Sequence, residues 1–463
     1  MKDFINDTQI QDTLDRNLNP DKNRALEIIN KAKEMKGLTL DETALLLQCE
    51  DRDVISEMFS AARFIKREIY GKRLVLFAPL YISNYCSNNC SYCAFRKDNK
   101  ELERRALDMN EIAIEVKALE MEGHKRLLML CGENHKMSSL DYFLEAIETA
   151  YSVKTEKGGE IRRINVEIAP LTVKEFKRLK AANIGTYVLF QETYHHNTYR
   201  EMHPTGPKAD FAWRLCAQDN AMQGGINDIG IGALFGLYDY KYEVLGLLTH
   251  AQHLDNTYGV GPHTISIPRL EPALNAPVAN KPPRPVSDNE FKKLVAIIRI
   301  AVPYTGIILS TRETAELRTE VFDLGVSQIS AGSRTNPGGY KRGNSDAFRS
   351  AQFNLGDSRT LDEVIYDVTI HGHIPSFCTA CYRLGRVGQD FMDMAKPGEI
   401  KNHCGPNAIS TFMEYLMNYG SPKTREAGEK AIEKILADIE IKIAKKANAM
   451  LERVKSGERD VLC

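Results

Sequence analysis

The chain alternates short β-prone runs with amphipathic helical segments, and this alternation constrains its fold more than any other feature. The helical segments repeat apolar residues at three- and four-residue spacing, which is typical of helices packed on one face. Because strands that alternate with helices pair in parallel, the pattern predicts an α/β fold, a complete (β/α)8 TIM-type barrel. An open doubly wound sheet has similar content but is less common at this width. The eight predicted strands occupy residues 73–83, 126–132, 164–170, 186–192, 228–236, 263–269, 306–311 and 326–332.

Three regions of the chain differ in pattern. Residues 1–72 are predicted to form an N-terminal helical segment. The barrel is predicted to span residues 73–340, with a proline-rich surface excursion at residues 271–290 near its mouth or side. Residues 341–463 are predicted to form a mostly helical C-terminal domain, which ends in one long amphipathic helix over residues 424–457.

The amino-acid composition limits the cellular compartment and the classes of partner that we expect for this protein. A formal net charge of -1 gives no electrostatic support for binding nucleic acid. No apolar run approaches the roughly 20 residues that span a bilayer, and the acidic, polar start does not resemble a signal peptide. We therefore expect a cytoplasmic protein with no membrane partner. Because the cytosol keeps thiols reduced, the ten cysteines need a role other than disulfides.

Three of these cysteines, Cys86, Cys90 and Cys93, fall in the short stretch SNYCSNNCSYCAF just after the first predicted strand. Clustered thiols in a reduced compartment indicate a metal site. Structural zinc needs four closed ligands, but this loop supplies three and has no histidine nearby. A cubane iron–sulfur cluster has four irons, so three cysteines would leave one iron open for another ligand. The loop also lies at the C-terminal mouth, where barrel enzymes place their chemistry.

The spacing of the three cysteines, with Tyr92 just before the third, resembles the radical S-adenosylmethionine (SAM) superfamily. The resemblance implies a 4Fe-4S cluster whose open iron binds SAM, and reductive cleavage of SAM to a 5′-deoxyadenosyl radical. Gly132 and Glu133, at the end of the second predicted strand, match the Gly-Glu element that binds the SAM amino group. A carboxylate suits an ammonium at that position.

Further polar residues occupy otherwise apolar strand ends. Glu167, Gln191 and Glu192 are expected to contact SAM, with Glu167 a candidate ligand of its ribose. Arg269 is expected to face either Glu167 or the SAM carboxylate. The alternative for Glu167 is a barrel-core carboxylate paired with an arginine.

Residues 190–215, 308–313 and 326–340 resemble the aromatic amino acid lyases of this superfamily, above all the tyrosine lyases. The resemblance covers about residues 70–345. It implies cleavage of the Cα–Cβ bond of L-tyrosine to p-cresol and dehydroglycine, with a reductant such as a ferredoxin or flavodoxin. One class of these lyases serves thiamine biosynthesis, and the other matures [FeFe]-hydrogenase.

The same resemblance suggests which residues hold the substrate. Arg312 matches the arginine that binds the tyrosine carboxylate, and a guanidinium fork suits that planar group. Ser310, Ser330 and Ser333 are expected to hydrogen-bond the same part of the substrate. Alternatively, Arg312 is a helix-start residue paired with Glu313 or Glu316.

A second cysteine group in the tail separates the two classes. Two residues separate Cys378 from Cys381, and twenty-two residues separate Cys381 from Cys404. By themselves these cysteines also fit a Cys3His zinc site completed by His403, His371 or His373. Their spacing resembles that of the hydrogenase maturase class.

The maturase resemblance implies an auxiliary 4Fe-4S cluster that carries a fifth iron through a bridging L-cysteine. His263 matches the histidine that ligates this iron, although a lone histidine at a strand start is otherwise a structural residue. Dehydroglycine would then be converted to carbon monoxide and cyanide for hydrogenase maturation partners. We expect a passage through the barrel between the two sites, lined by polar residues and free of obstructing core aromatics.

Two other functions remain open from the sequence. One is a thiamine-pathway tyrosine lyase (a dehydroglycine synthase) with a structural zinc in its tail. The other is a non-catalytic iron–sulfur scaffold or carrier that delivers a cluster to a partner. The sequence does not indicate the oligomeric state.

Overall fold

The computed structural model describes residues 2–342 and 347–463 and contains a closed parallel barrel. The strands follow chain order around it, and β1 pairs with both β2 and β8, which closes the sheet. All eight predicted strands are present, so the barrel prediction is confirmed and the open sheet is excluded. The barrel strands are β1 (Arg73–Ser83), β2 (Arg126–Cys131), β3 (Arg163–Glu167), β4 (Tyr187–Val188), β5 (Ile229–Gly232), β6 (Thr264–Ser266), β7 (Gly306–Leu309) and β8 (Val326–Ser330).

The strands are apolar on both faces because both faces are buried. On β1, Leu74 and Leu76 point outward into the helical layer and are fully buried there. The alternate side chains Val75 and Phe77 point into the barrel and line its internal cavities. The two-residue period of a strand thus divides β1 between a structural face and a functional face.

Helices surround the barrel and begin at recognisable caps. Asp108 and Glu111 form a reciprocal capping box at the start of α5, and Ser287 and Glu290 form another at α13. These boxes satisfy backbone N–H groups that the first helical turn leaves free. The helices that follow β1 to β8 are α5 (Met109–Glu122), α6 (Leu140–Ser152), α7 (Val173–Ala181), α8 (His196–Met202), α9 (Phe211–Leu215), α10 (Ala217–Gln223), α11 (Tyr240–Tyr258), α12 (Pro277–Asn280), α13 (Asp288–Ala301), α14 (Ala315–Phe322) and α15 (Gly339–Arg342).

The N-terminal segment is helical, as predicted, and packs on the outside of the barrel. Its last helix buries an apolar stripe that includes Met58, Ala61 and Ile65 against α13. Four helices preceding β1 thus extend the core of the barrel on one side. They are α1 (Asp7–Arg16), α2 (Lys22–Ala32), α3 (Leu40–Gln48) and α4 (Arg52–Tyr70).

The C-terminal region adds a ninth strand to the sheet. This strand, β9 (Ile374–Ser376), pairs in parallel with residues 73–75, the beginning of β1. The pairing brings the chain that follows β9 to the N-terminal end of the barrel, opposite the mouth. The helices of this region are α16 (Leu361–Ile370), α17 (Ala380–Arg383), α18 (Gln389–Ala395), α19 (Lys401–Asn418), α20 (Pro422–Asp438) and α21 (Ile441–Lys455).

The prediction of one long terminal helix over residues 424–457 was wrong. The chain leaves helical geometry at Ile439 and Glu440, so two helices form. The break lets α21 fold back and bury Met450, Leu451 and Val454, and α21 packs against α19. A continuous helix would have left this apolar stripe in water. Among the described residues, no helix is both long and apolar enough to cross a lipid bilayer.

Candidate active site

A chamber of about 210 Å³ opens at the C-terminal ends of the barrel strands. Cys86, Cys90 and Cys93 line it from the loop after β1. The strand-end residues Glu133, Glu167 and Arg312 line the same chamber. The sequence therefore identified one shared site from residues that are up to 226 positions apart.

Hydrogen bonds fix the cysteine loop against neighbouring strand ends. The Asn88 side-chain amide donates to Glu133 Oε2 at 2.6 Å, and the Ser87 backbone N–H donates to the Glu133 carbonyl at 2.7 Å. The backbone N–H of Lys208 donates in turn to Asn88 Oδ1 at 2.8 Å. These contacts hold the three thiols toward the chamber and leave the Glu133 carboxylate beside them.

The three thiols fit a metal cluster better than a set of free cysteines. Burial raises the pKa of Cys90 to about 12 and also raises the pKa values of Cys86 and Cys93. These groups would stay protonated in the absence of a cation. Bound iron removes thiol protons because a coordinating thiolate is strongly stabilised. Three soft ligands from one loop fit an iron–sulfur cluster with three protein ligands.

The predicted SAM-binding residues Tyr92, Gly132 and Glu133 all line the chamber. A side chain at Gly132 would bring its Cβ within 2.3 Å of the Tyr85 carbonyl oxygen, so only glycine fits. The Tyr92 hydroxyl lies 2.7 Å from His203 Nε2 in a buried pair. Their roles toward SAM remain predictions, but their common location agrees with those roles.

Glu167 lies on the inward face of β3 and lines the chamber. Burial and the nearby Glu192 carboxylate raise the pKa of Glu167 to about 7. A carboxyl group near this pKa can exchange a proton at neutral pH or accept hydrogen bonds from a bound hydroxyl. The arginine partner suggested for it, Arg269, lies elsewhere.

Arg269 does not face Glu167, so the first of its two predicted partners is wrong. Its Nε donates to Glu313 Oε2 at 2.9 Å, and its Nη1 lies 2.8 Å from Asp288 Oδ1. Pro268, one residue earlier, lines the chamber. Arg269 itself is not among the residues that line the chamber, because its side chain is held by Glu313 and Asp288.

The sequence predicted only one member of an ion cluster at the chamber wall. Glu192 was expected to contact SAM, but its partners Lys208 and Arg214 were missed. Lys208 Nζ lies 2.5 Å and Arg214 Nη2 3.3 Å from Glu192 Oε1. Burial alone would raise the pKa of Glu192, but these cations hold it below its usual value. Both cations occur in the segment 190–215, which resembles the lyases. That resemblance is the signal by which the sequence could have identified them.

Arg312 lies in the chamber, and it does not pair with Glu313, because that carboxylate binds Arg269. Its guanidinium carbon lies 3.4 Å from the ring centroid of Phe353. The aromatic face and a long hydrogen bond from Nη1 to the Arg269 carbonyl (3.5 Å) hold the fork, and its other N–H donors remain available to a ligand. Burial lowers its pKa, yet arginine stays cationic in proteins.

The three serines differ in placement. Ser310 and Ser330 line the chamber, and their hydroxyl oxygens accept backbone N–H groups of Arg312 (3.3 Å) and Thr311 (3.0 Å). Ser333 does not line it, contrary to its predicted role. It follows Gly332, whose φ of +60° turns the chain after β8. The buried Ser333 hydroxyl has no hydrogen-bond partner among the described residues.

A second, smaller cavity of about 40 Å³ lies at the opposite end of the barrel. Cys378, Cys381, Cys404 and His263 all line it, so the fold brings the tail cysteines to the predicted histidine. Histidines 371, 373 and 403, which the zinc alternative needs, are not among its lining residues. Across residues 2–342 and 347–463, no three Cys, His, Asp or Glu side chains are close enough to share one metal ion. A cubane cluster instead distributes its ligands over separate corners.

The electrostatics of this cavity suit an anionic cluster. A hydrogen bond from Cys381 lowers the pKa of Cys404, and the buried Arg73 guanidinium lowers it further. Burial lowers the pKa of His263 and outweighs the opposing effect of the Asp228 carboxylate, whose Oδ2 lies 3.5 Å from His263 Nδ1. A neutral imidazole oriented by a carboxylate is a common metal ligand. These residues therefore fit a cluster with three cysteine ligands and one neighbouring histidine.

The two cavities occupy successive layers of the same barrel interior. On β1, Val75 lines the lower cavity and Phe77 lines the upper one. On β8, Gln328 lines the lower cavity and Ser330 lines the upper one. Besides Phe77, the lining of the upper chamber includes the apolar Leu128 and Ile308 and the polar Asn165 and Ser330. The interior between the cavities is therefore mixed in character, whereas the sequence predicted a polar passage without aromatics.

Comparisons with known proteins agree with this arrangement. The model of the Radical SAM superfamily matches residues 80–245, and that of the Biotin and Thiamin Synthesis associated domain matches residues 266–374. A 2-iminoacetate synthase of Escherichia coli (strain K12) is 30% identical over 365 residues, which are 78% of this chain and 92% of that protein.

Two solved structures resemble the whole chain. A crystal structure of HydG, described as a maturase of the [FeFe]-hydrogenase, is 51% identical with a TM-score of 0.96, and the match covers 100% of both chains. The [FeFe]-hydrogenase maturase HydG from Carboxydothermus hydrogenoformans is 44% identical with a TM-score of 0.84, over 96% of this chain and 98% of the other. Both matches include the tail that carries the second cysteine group.

Proposed function

This chain belongs to the radical SAM superfamily, and on that premise we propose that it is a tyrosine lyase that serves [FeFe]-hydrogenase maturation. It cleaves the Cα–Cβ bond of L-tyrosine and releases p-cresol and dehydroglycine. Dehydroglycine is then converted to carbon monoxide and cyanide at the second cysteine site. The observation that carries this proposal is the presence of two three-cysteine cavities at opposite ends of one barrel.

The upper chamber performs the cleavage. When bound, a 4Fe-4S cluster and SAM supply an organic radical that removes a hydrogen atom from the substrate. Cys86, Cys90 and Cys93 hold this cluster, and Glu133 offers its carboxylate to the amino group of SAM. The walls of the barrel keep water from the reacting groups.

Arg312 orients the tyrosine. Its guanidinium binds the substrate carboxylate through two parallel hydrogen bonds, which fixes the amino end toward the cysteine loop. Ser310 and Ser330 lie beside it on neighbouring strands and can hydrogen-bond the same carboxylate. The hydrogen atom removed from tyrosine leaves in 5′-deoxyadenosine, and one proton and one electron replace it in p-cresol. The reductant therefore supplies two electrons in each turnover, one for the cleavage of SAM and one for p-cresol.

The lower cavity receives the two-carbon fragment. Cys378, Cys381 and Cys404 would hold an auxiliary 4Fe-4S cluster, and His263 would ligate a fifth iron, with L-cysteine as a further ligand. Arg73 and Arg126 line this cavity and compensate its negative charge. Loss of water from dehydroglycine leaves carbon monoxide and hydrogen cyanide, so this step balances without an added oxidant.

Proteins that deliver electrons and receive the product complete the proposal. A ferredoxin or flavodoxin supplies the electrons, and hydrogenase maturation proteins accept the product. The reaction takes place in the cytoplasm.

A related function is favoured by one comparison. The 2-iminoacetate synthase relative is 30% identical over 78% of this chain, which supports a thiamine-pathway lyase as the second candidate. This candidate has no use for carbon monoxide or for a second iron cluster.

Anaerobic reconstitution separates the candidates. We expect about eight or nine irons per chain, two clusters in the EPR spectrum of the reduced protein, and p-cresol with carbon monoxide and cyanide from tyrosine, SAM and a reductant. About four irons with one zinc, and p-cresol without carbon monoxide, would support the thiamine-pathway candidate. Absence of p-cresol and 5′-deoxyadenosine would leave the iron–sulfur scaffold.

A further inference from the structure

Residues 349–357 cross the mouth of the barrel as an irregular segment, which we call the mouth strap. Its backbone joins several strand-end loops. The Gln352 carbonyl accepts the Ala94 N–H (3.3 Å), and the Gln352 N–H donates to the Thr335 carbonyl (2.9 Å). The Asn354 N–H donates to the Pro272 carbonyl at 2.9 Å. The strap is thus attached to the cysteine loop and to the loops after β6 and β8.

The strap also contacts the loop after β7 at a glycine. The Gly356 N–H donates to the Thr311 carbonyl at 3.0 Å. A Cβ at Gly356 would lie 2.1 Å from the carbonyl oxygen of Arg312. Only a residue without a side chain permits this approach, so the strap is fitted closely to the backbone that carries Arg312.

Two adjacent strap residues reach the functional groups of the chamber. The Gln352 amide Nε2 donates to Cys93 Sγ at 3.7 Å, and its Oε1 accepts the Tyr81 hydroxyl at 2.8 Å. The next residue, Phe353, places its ring 3.4 Å from the Arg312 guanidinium carbon. Gln352 and Phe353 both line the chamber.

We propose that the mouth strap is a positioning element for the reaction, in which Gln352 tunes the iron–sulfur cluster through Cys93 and Phe353 fixes Arg312 for the substrate carboxylate. A hydrogen bond to a ligand sulfur stabilises the more negative, reduced cluster and raises its reduction potential. An aromatic face over a guanidinium limits its rotation while leaving the edge donors free. The Phe353 part rests on the proposed tyrosine lyase activity, whereas the Gln352 part rests only on the cluster.

The Gln352 part is tested by Gln352→Met, which keeps the length of the side chain and removes its donor. We expect the midpoint potential of the first cluster to become more negative in an EPR-monitored redox titration of the reconstituted protein. Cys378→Ala in both backgrounds keeps a second cluster from contributing to the signal. A midpoint unchanged from the parent would overturn this part.

The Phe353 part is tested by Phe353→Leu and Phe353→Tyr. Leucine fills similar volume without an aromatic face, and we expect the KM for tyrosine to rise by about three- to tenfold with a smaller change in kcat. Tyrosine at this position keeps the ring, and it should leave the KM near the wild-type value. Equal losses in both variants, or an unchanged KM in Phe353→Leu, would overturn this part.

Asn354→Ala is the matched control on the same strap, because its exposed side chain contacts neither Cys93 nor Arg312 and its backbone hydrogen bond is retained. It should leave both the potential and the KM unchanged. A shift of either in Asn354→Ala as large as in the test variants would show a general loosening of the strap and contradict the specific roles. If the wild-type protein forms no p-cresol, the proposed function fails, while the potential of Gln352→Met still tests the strap.

Discussion

The two cysteine sites use the same number of thiols but are assembled from the chain in different ways. Cys86, Cys90 and Cys93 come from a single loop. In the lower site Cys378 comes from the loop after β9, Cys381 from α17 and Cys404 from α19, and all three meet His263, which precedes β6. The upper site opens into about 210 Å³, and the lower one encloses about 40 Å³. Under the proposed function, the larger upper cavity would receive SAM and tyrosine, whereas the lower one would receive the two-carbon fragment beside its own cluster.

The largest effect that would sharpen this comparison comes from removing an upper cysteine. Cys86→Ala should abolish p-cresol, carbon monoxide and cyanide together, because radical formation precedes every later step. Product analysis after anaerobic turnover measures this. Cys49→Ala, a buried cysteine of the N-terminal segment, is the control and should retain all products. Carbon monoxide from Cys86→Ala would break the assignment of the first step to the upper site.

Removing a lower cysteine should separate the products. Cys378→Ala is expected to retain measurable p-cresol formation while carbon monoxide falls below detection, because only the second step needs the lower cavity. Iron analysis should show a loss of about four irons per chain. Equal loss of p-cresol and carbon monoxide would refute the division of work between the two ends.

A smaller effect is expected within the upper chamber at Arg312. Arg312→Lys keeps the charge but loses the planar fork, so kcat/KM for tyrosine should fall by roughly 30-fold, with carbon monoxide falling in proportion. Steady-state p-cresol assays measure this. Arg269→Lys, which lies outside the chamber and binds Glu313, is the control. Similar losses in both variants would argue against a substrate role for Arg312.

The smallest effect concerns the stability of the metal-free protein. The pKa of Glu167 in the folded protein is about 7, above the usual value near 4.5. The folded state therefore binds this proton more tightly than the unfolded state does. The stability that results is complete at low pH and is lost as the pH rises through 7. Glu167→Gln removes this loss and should be more stable than wild type by about 1–3 kcal/mol at pH 8, with little difference near pH 5. Denaturant unfolding at both pH values checks this, and a pH-independent difference would contradict the assigned cause.

Much of the barrel and most of the upper site could be predicted because they depend on local patterns. The strands are short apolar runs, and the cysteine loop lies within a few residues of chain. Arg269 was placed wrongly because its partners, Glu313 and Asp288, come from other segments of the chain, and the sequence does not show that they meet. Ser333 was placed wrongly because a turn at Gly332 redirects the chain after β8.

Other features depend on packing that one sequence does not reveal. The break at Ile439 has neither glycine nor proline, and it forms because α21 gains buried area on α19. Lys208 and Arg214 have no periodic pattern, and their role depends on Glu192 across the chamber. The mouth strap consists of loop residues whose partners lie on four different strand ends.

The strand β1 runs from the lower cavity, where Arg73 and Val75 line the wall, to the upper chamber, where Tyr81 does. Its length therefore sets the spacing of the two sites, whose walls adjoin at Val75 and Phe77, and its residues from Val75 to Tyr81 span about 20 Å at 3.3 Å per residue. An insertion of one residue would turn every inward side chain outward, so this spacing can change only in steps of two residues, or about 6.6 Å. Related enzymes built on this barrel should consequently keep a fixed distance between their two sites, even where the surrounding loops vary in length.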